Sequence, residues 1–269
     1  MRRRAALGAI GTGLAAGVAG CLQEVLTPTA TQAFERREPV APGTAVEVAN
    51  RNGPVRVEPT SGDQLVIHGE RRAADEAALE TIRIEVASGD PVVIRVVHEG
   101  DGDWRAREVD LTVELPPGVD LAEATTANGA VSVRDVGGDP YVLATNGAVD
   151  AAGVEGFVRG ESTNGDVTIR DVGGLDGARS RNGDLDLEAR ALRRDVTAET
   201  VNGDVAVRID AALAATVRLR TSNGTVDVED LPVTETSSSS TRFDGHLGGA
   251  GGPTLTLLTT NGDVRLRPV

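Results

Sequence analysis

Most of the chain alternates between aliphatic and polar residues, which is the two-residue period of a β-strand with one buried face. The alternation keeps a fixed phase relative to a recurring Asn-Gly pair, and positions six, four and two before each Asn repeat it, as in Val217-Leu219-Thr221. The third and fifth residues after the Asn are nearly always aliphatic, namely Val131/Val133, Val149/Ala151, Val167/Ile169, Leu185/Leu187, Val205/Val207, Val226/Val228 and Val264/Leu266. The pattern therefore predicts a unit of strand, Asn-Gly turn and strand, closed by a second turn.

The Asn-Gly pairs recur at a nearly constant spacing. They are Asn52-Gly53, Asn128-Gly129, Asn146-Gly147, Asn164-Gly165, Asn182-Gly183, Asn202-Gly203, Asn223-Gly224 and Asn261-Gly262. From Asn128 the intervals are 18, 18, 18, 20, 21 and 38 residues, and the last is close to two repeats. Self-similarity at such a period is typical of a solenoid, in which each repeat packs mainly on its neighbours.

Asn-Gly is also the strongest short signal for a β-hairpin, so an antiparallel meander or sandwich is the rival fold. Every unit, however, presents the same strand, turn and strand in the same phase. Equivalent residues can then stack on one another about 4.8 Å apart. We therefore predict an all-β fold, a single-chain β-solenoid similar to a β-helix, with rungs of about 18–21 residues.

The two ends of the array depart from the regular pattern. Residues 43–115 contain one Asn-Gly unit, several ordinary strands and a short helical segment, and they are predicted to form an N-terminal β layer that caps the solenoid. Residues 116–269 form the array itself. Within it, residues 234–253 are rich in Ser and Gly, and we predict that they form a loop inserted in a rung.

Charge limits the choice of partner. The chain has 27 Lys and Arg against 41 Asp and Glu, a net charge of −14, and its basic side chains are all Arg. Binding to nucleic acid normally needs a basic surface, so that partner is not expected. An acidic excess without Lys resembles halophilic proteins, because concentrated salt screens the self-repulsion of an acidic surface, although a GC-rich genome alone could also replace Lys by Arg.

The first 42 residues predict export and anchoring. Arg2, Arg3 and Arg4 precede an uncharged run that ends in small residues, which indicates a signal peptide over residues 1–20. The consecutive arginines resemble a twin-arginine signal, although a general secretory route stays open. The residues before Cys21, which is the only cysteine, resemble a lipobox and imply that its thiol carries a lipid. Residues 21–42, rich in Thr, Pro and Ala, are predicted to form a lipidated tether.

The sequence from Val109 to Val119, followed by repeats such as Thr-Val-Asn-Gly-Asp-Val at 200–205, resembles a family of candidate adhesins with β-strand repeats. That family is a domain of unknown function. The resemblance covers residues 43–269 and, together with the N-terminal signal, suggests an archaeal-type lipoprotein. It implies repetitive surface β-structure and brings no catalytic residues.

Few polar residues are arranged for chemistry. His68, His98 and His246 are scattered without metal-ligand spacing, so neither a metal site nor a cofactor is expected. No Gly-x-Ser-x-Gly elbow is present, and we expect no catalytic residues. The acidic residues directly after Asn-Gly would stack into a carboxylate ladder. Asp is also a residue that simply suits a turn. The alternative interpretation is cation binding, for which the candidate ligands are Asp166, Asp184 and Asp204.

We therefore expect an exported, lipid-anchored module on the outer face of the cytoplasmic membrane, with a non-catalytic role in adhesion, binding or envelope structure. Its expected partners are the membrane, through the lipid on Cys21, and an envelope glycan or a surface protein. Two alternatives stay open. One is a solenoid-type polysaccharide lyase or hydrolase that uses paired carboxylates, and the other is a cation-binding module similar to a β-roll.

Overall fold

The computed structural model describes residues 29–100, 103–249 and 251–269. In this part of the chain there are 23 β-strands, one short α-helix, α1 (Glu76–Glu80), and one 3-10 turn at Trp104–Ala106. The strands form two long sheets, so the all-β class is confirmed. Within the same residues, no helix has the length and apolar character needed to cross a membrane.

The two sheets run side by side along the whole stack. Sheet A contains, in spatial order, β1 (Ala30–Pro39), β4 (Gln64–Ala73), β7 (Glu108–Leu115), β3 (Val55–Pro59), β9 (Val131–Arg134), β11 (Val149–Ala152), β13 (Val167–Arg170), β15 (Leu185–Ala189), β17 (Val205–Ile209), β23 (Val264–Pro268) and β19 (Val226–Val228). Sheet B contains, in spatial order, β20 (Val233–Ser239), β21 (Arg242–Leu247), β18 (Ala215–Asn223), β22 (Thr254–Asn261), β16 (Val196–Glu199), β14 (Gly174–Arg179), β12 (Phe157–Asn164), β10 (Tyr141–Asn146), β8 (Asp120–Asn128), β2 (Ala45–Ala49), β6 (Val92–His98) and β5 (Ile82–Ala87).

Each Asn-Gly turn is a corner that carries the chain from sheet B into sheet A. Strands β8 and β9 flank the Asn128 turn, yet they lie in different sheets, and each pairs in parallel with the equivalent strand of the next unit. In this register Val149 lies beside Val167. The hairpin interpretation is therefore wrong for the array, because strands pair between units and not across the turn. The architecture is β-solenoid-like.

The aliphatic positions form one continuous core between the sheets. Val131, Val133, Val167 and Ile169 are fully buried, and the residues between them point outward. Burial of each such side chain contributes about 1.5–3 kcal/mol before the entropic cost of folding is counted. The buried face of the strands was therefore predicted correctly.

The N-terminal end differs from the prediction in one respect. Part of the predicted tether is strand β1, which pairs antiparallel with the full length of β4. The sequence of β1 shows no alternation because β1 is an edge strand that places only Ala30 and Phe34 near the core. Strands β4 and β7 and helix α1 cover this end of the stack, and the first rung, formed by β2 and β3, lies inside it.

The C-terminal end departs from chain order. The last rung, β22 and β23, lies between the rung of β16 and β17 and the rung of β18 and β19. Most of the predicted loop at 234–253 is the antiparallel hairpin β20–β21, which covers the outer edge of β18. The loop prediction failed because β20 is exposed along its length, so Ser-rich sequence is tolerated there, while Phe243 and Leu247 of β21 reach the core.

Candidate functional site

The side chains of the Asn-Gly turns form a ladder along one edge of the solenoid. Six of the eight Asn residues donate a hydrogen bond from Nδ2 to the Oδ1 of the Asn in the neighbouring rung, with a separation of 2.8 Å at all six steps. The ladder follows spatial order, through Asn128, Asn146, Asn164, Asn182, Asn202, Asn261 and Asn223. Asn52 lies at the head of this line, but it donates instead to the carbonyls of Arg105 and Arg107. The predicted turns are thus aligned in space.

The residue two positions before the Asn hydrogen-bonds to the turn of an adjacent rung. Six hydroxyls at this position are buried, and each donates to the carbonyl of a turn glycine in an adjacent rung at 2.8–2.9 Å: Thr126, Ser162, Ser180, Thr200, Thr221 and Thr259. A buried carbonyl without a partner costs free energy, so the hydroxyl stabilises the corner. The Thr-x-Asn-Gly motif is therefore explained by stacking.

The candidate cation ligands are also stacked, and their carboxylates bind the backbone. Oδ1 of Asp166 accepts a hydrogen bond from the backbone N–H of Asp184 at 2.9 Å, and Oδ1 of Asp184 accepts from Asp204 at 2.8 Å. At the end of this row, hydrogen bonds from the backbone N–H and hydroxyl of Thr225 lower the pKa of Asp263. Among the described residues, no group of three or more Asp, Glu, His or Cys side chains is placed to hold a metal ion. These carboxylates thus stabilise turns.

The other predicted residues fall into two groups. Cys21 and Arg2, Arg3 and Arg4 lie outside the described residues. The three histidines are not brought together. His68 contacts Glu114 at 3.0 Å, His246 contacts Thr216 at 3.3 Å, and the pKa of His98 is lowered by burial and by nearby arginines.

A cavity of about 330 Å³ opens on the outer face of sheet B. It lies over β12, β14 and β16. Gly177 of β14 pairs with Arg159 of β12 where the register of the two strands shifts, and the missing side chain leaves a gap in the outward row. We call this cavity the arginine groove, and its charged lining consists of Arg159, Glu161, Asp176, Arg179, Arg194, Asp195 and Glu199.

In the arginine groove the guanidinium groups are outermost and the carboxylates lie beneath them. The side chains of Arg159, Arg179 and Arg194 are 56%, 65% and 59% exposed, against 36% for Glu199, 20% for Glu161 and 5% for Asp176, and Asp195 is exposed beside them. Each arginine is held by a carboxylate. Arg159 donates to Glu161 at 2.8 Å, Arg179 donates to Glu199 at 2.7 Å, and Arg194 donates to Asp176 at 2.6 Å. The guanidinium groups are therefore more exposed than the carboxylates that they pair with, although the whole chain is acidic.

Two aromatic rings lie beside the arginine groove. Arg193 also pairs with Asp176, and its guanidinium lies 4.3 Å from the ring centroid of Phe157. Arg159 lies 5.7 Å from the ring centroid of Tyr141, whose hydroxyl donates to Glu161 at 3.1 Å. Burial, together with Glu161, raises the pKa of Tyr141 to about 12, so the phenol stays protonated at neutral pH. These contacts fix the arginines in place.

Sequence reasoning missed the arginine groove, although one signal pointed to it. The interval between Asn182 and Asn202 is 20 residues, two more than in the preceding rungs. The corner between β15 and β16 is correspondingly longer. It carries Arg193 and Arg194 to Asp176, which lies on β14 in sheet B.

Several solved structures resemble the chain at low identity. A candidate adhesin from Bacteroides fragilis is 14% identical with a TM-score of 0.37, and the match covers 88% of this chain and 97% of that one. A candidate lipid-binding protein from Parabacteroides distasonis is 9% identical with a TM-score of 0.42, covering 87% and 96%. A candidate cell adhesion protein from Clostridium sporogenes is 9% identical with a TM-score of 0.36, covering 88% and 100%.

No curated protein matches the sequence. A family model described as Toastrack DUF4097, a domain of unknown function, matches residues 40–267. That match includes every Asn-Gly turn and every strand except β1, and it agrees with the repetitive β-structure that the sequence predicts. The chain therefore belongs to the Toastrack DUF4097 family.

Proposed function

We propose that this protein is a non-catalytic binding module displayed at the cell surface, and that its ligand is an anionic envelope polysaccharide held in the arginine groove. The observation that carries the proposal is the layering of charge there. Three guanidinium groups there are 56–65% exposed, and the carboxylates that they pair with are 5–36% exposed. A guanidinium offers paired N–H donors that match the geometry of a carboxylate or a sulfate.

The shape of the surface favours a polymer over a small ligand. In a stacked sheet, equivalent side chains of neighbouring rungs are about 4.8 Å apart, so charged groups are repeated along a row. The three exposed arginines come from neighbouring rungs, Arg159 from β12, Arg179 from β14 and Arg194 from the corner before β16. A chain with regularly spaced anionic groups can contact several rungs at once, and modest contacts then add up.

The binding proposal predicts a face-specific effect of charge. Replacing both Arg179 and Arg194 with Gln should weaken binding to polygalacturonate by about tenfold or more, because each lost charge-assisted hydrogen bond contributes about 1.5 kcal/mol. The measurement is titration calorimetry with the purified chain, with neutral dextran as the ligand control. The double variant Arg134→Gln with Arg170→Gln is the matched protein control, since both arginines are about half exposed on sheet A and pair there with Asp150 and Asp186.

Equal losses in the sheet A and sheet B variants would contradict the proposal, because binding would then follow net charge alone. Release of oligosaccharide products would also contradict it. Turnover that Glu161→Gln abolishes would support the polysaccharide lyase or hydrolase alternative, in which Glu161 would act as acid or base.

The proposal includes anchoring through a lipid on Cys21 after export directed by Arg2, Arg3 and Arg4. Cys21→Ser should shift the protein from the membrane fraction to the soluble extracellular fraction, because the lipid supplies the attachment. Cell fractionation and immunoblotting measure the shift, and Ser61→Ala in the exposed segment after β3 is a neutral control. Unchanged membrane retention of Cys21→Ser would contradict lipid anchoring.

A further inference from the structure

We propose that Asn223-Gly224 is a site of spontaneous deamidation in the folded protein, and that the other seven Asn-Gly turns are protected by stacking. The proposal is independent of the ligand. All eight turns lie within the described residues, and they differ in one respect that matters for this reaction, the state of the glycine N–H.

The reaction needs a free glycine amide. The backbone N of the glycine attacks Cγ of the preceding Asn, a bond forms between them, and Nδ2 leaves as ammonia with the glycine proton. Water then opens the five-membered succinimide, and the product is aspartate or isoaspartate. A glycine N–H that is held in a hydrogen bond within a sheet corner cannot reach Cγ unless the corner opens first.

In seven turns the glycine N–H donates to the Asn carbonyl of the next rung, at 2.7–3.0 Å. The donors are Gly53, Gly129, Gly147, Gly165, Gly183, Gly203 and Gly262. At six of these turns the Asn side chain is part of the amide ladder, and Asn52 is held by two carbonyls. Reaction at any of them requires the loss of a backbone bond and of at least one side-chain bond.

Gly224 has no such bond in the part of the chain that the structure describes, and it is the one exposed turn glycine of the eight. It has no rung beyond it because the order of the last two rungs is inverted. Asn261 comes last in the sequence, but it lies inside the ladder, and Gly262 donates to the carbonyl of Asn223 at 2.9 Å. The side chain of Asn223 donates to Asn261 and, at 3.4 Å, to the carbonyl of Thr260, and its own Oδ1 accepts nothing from the described residues.

Conversion of Asn223 to a carboxylate would remove the Nδ2 donor to Asn261 and place a negative charge at the end of the ladder. The isoaspartate product would also lengthen the backbone at the corner between β18 and β19. Both changes weaken the outermost rung, which is held in sheet A by only the three residues of β19. The reaction would therefore loosen the C-terminal end of the stack with age.

The test is incubation of the intact folded chain in mildly alkaline buffer, with peptide mass spectrometry and an isoaspartate-specific methyltransferase assay at each turn. Asn223 should deamidate about fivefold or more faster than each of the other seven, because their glycine N–H must first lose its backbone hydrogen bond. In denaturant the eight rates should converge. Asn223→Gln should remove the dominant isoaspartate signal.

Asn128 is the internal control, because it is the other end of the ladder but its Gly129 N–H is bonded to Asn146. Comparable rates at Asn128 and Asn223 in the folded protein would show that ladder ends react alike, and would overturn the proposal. Faster reaction at Asn261 than at Asn223 would overturn it as well, since it would mean that chain order governs exposure.

Discussion

Val131→Asp should unfold the protein or destabilise it by about 4 kcal/mol or more, whereas Ser132→Asp on the same strand should change stability by about 0.5 kcal/mol at most. The two positions are adjacent in sequence but face opposite sides of sheet A. Val131 is fully buried between the sheets among aliphatic side chains, so a carboxylate there would lose its hydration without gaining a partner. A typical domain has only about 5–15 kcal/mol of stability to lose.

Ser132 is a suitable control because its cross-rung neighbours balance each other. It lies between Arg56 on one side and Asp150 on the other, so a new carboxylate there meets one opposite and one like charge. Thr168 is less suitable, since it lies between Asp150 and Asp186. Thermal unfolding followed by circular dichroism gives the comparison. Similar midpoints for Val131→Asp and Ser132→Asp would mean that the buried face is assigned wrongly.

The strands and their buried faces could be predicted because the information is local. Residues such as Val131 and Val133 alternate with polar residues over only a few positions, and Asn-Gly fixes the phase in every unit. The Asn-Gly motif alone does not distinguish a hairpin, in which the flanking strands pair with each other, from a corner between two sheets, because glycine suits both turns. Which strand pairs with which is a tertiary property.

The order of the last rungs could not be predicted for a physical reason. The rungs that carry Asn202, Asn223 and Asn261 have the same aliphatic spacing, so either of the later two can stack on the first with an equivalent core and ladder. Hairpin β20–β21 is attached to β18, and it covers the outer edge of that strand. Because the hairpin covers the outer edge of β18, β22 pairs with the inner edge of β18 and lies between β18 and β16. No sequence pattern within a single rung encodes this order of strands.

The arginine groove was hidden for a similar reason. The alternation predicts that Arg159 and Arg179 point outward, but exposed arginines are common and carry little information by themselves. The groove depends on Gly177, which leaves the gap, and on the long corner that brings Arg193 and Arg194 over Asp176. Only the longer interval between Asn-Gly pairs marks that corner in the sequence, and it does not say which strand the corner covers.

Gly165→Ala should destabilise the protein by about 2–4 kcal/mol, even though the substitution adds a single methyl group. The turns of neighbouring rungs approach so closely that a Cβ at Gly165 would lie 2.2 Å from the carbonyl oxygen of Gly147 and 2.9 Å from the backbone N of Ala148. These are backbone atoms held in both sheets, so they cannot move aside as a flexible side chain would. The rungs must separate, which strains the amide ladder between Asn146 and Asn164.

Gly62→Ala is the matched control, because it also adds a methyl group to a glycine in a turn. Its backbone is not in the left-handed region, and the one atom near the new Cβ would be Oγ1 of Thr60 at 3.6 Å. Restricting the unfolded chain should make this variant slightly more stable, by about 0.4–1 kcal/mol. Chemical denaturation measures both. If Gly165→Ala were as stable as Gly62→Ala, the close stacking of turns would be refuted, since backbone atoms at 2.2 Å and 2.9 Å from the new Cβ must cost stability.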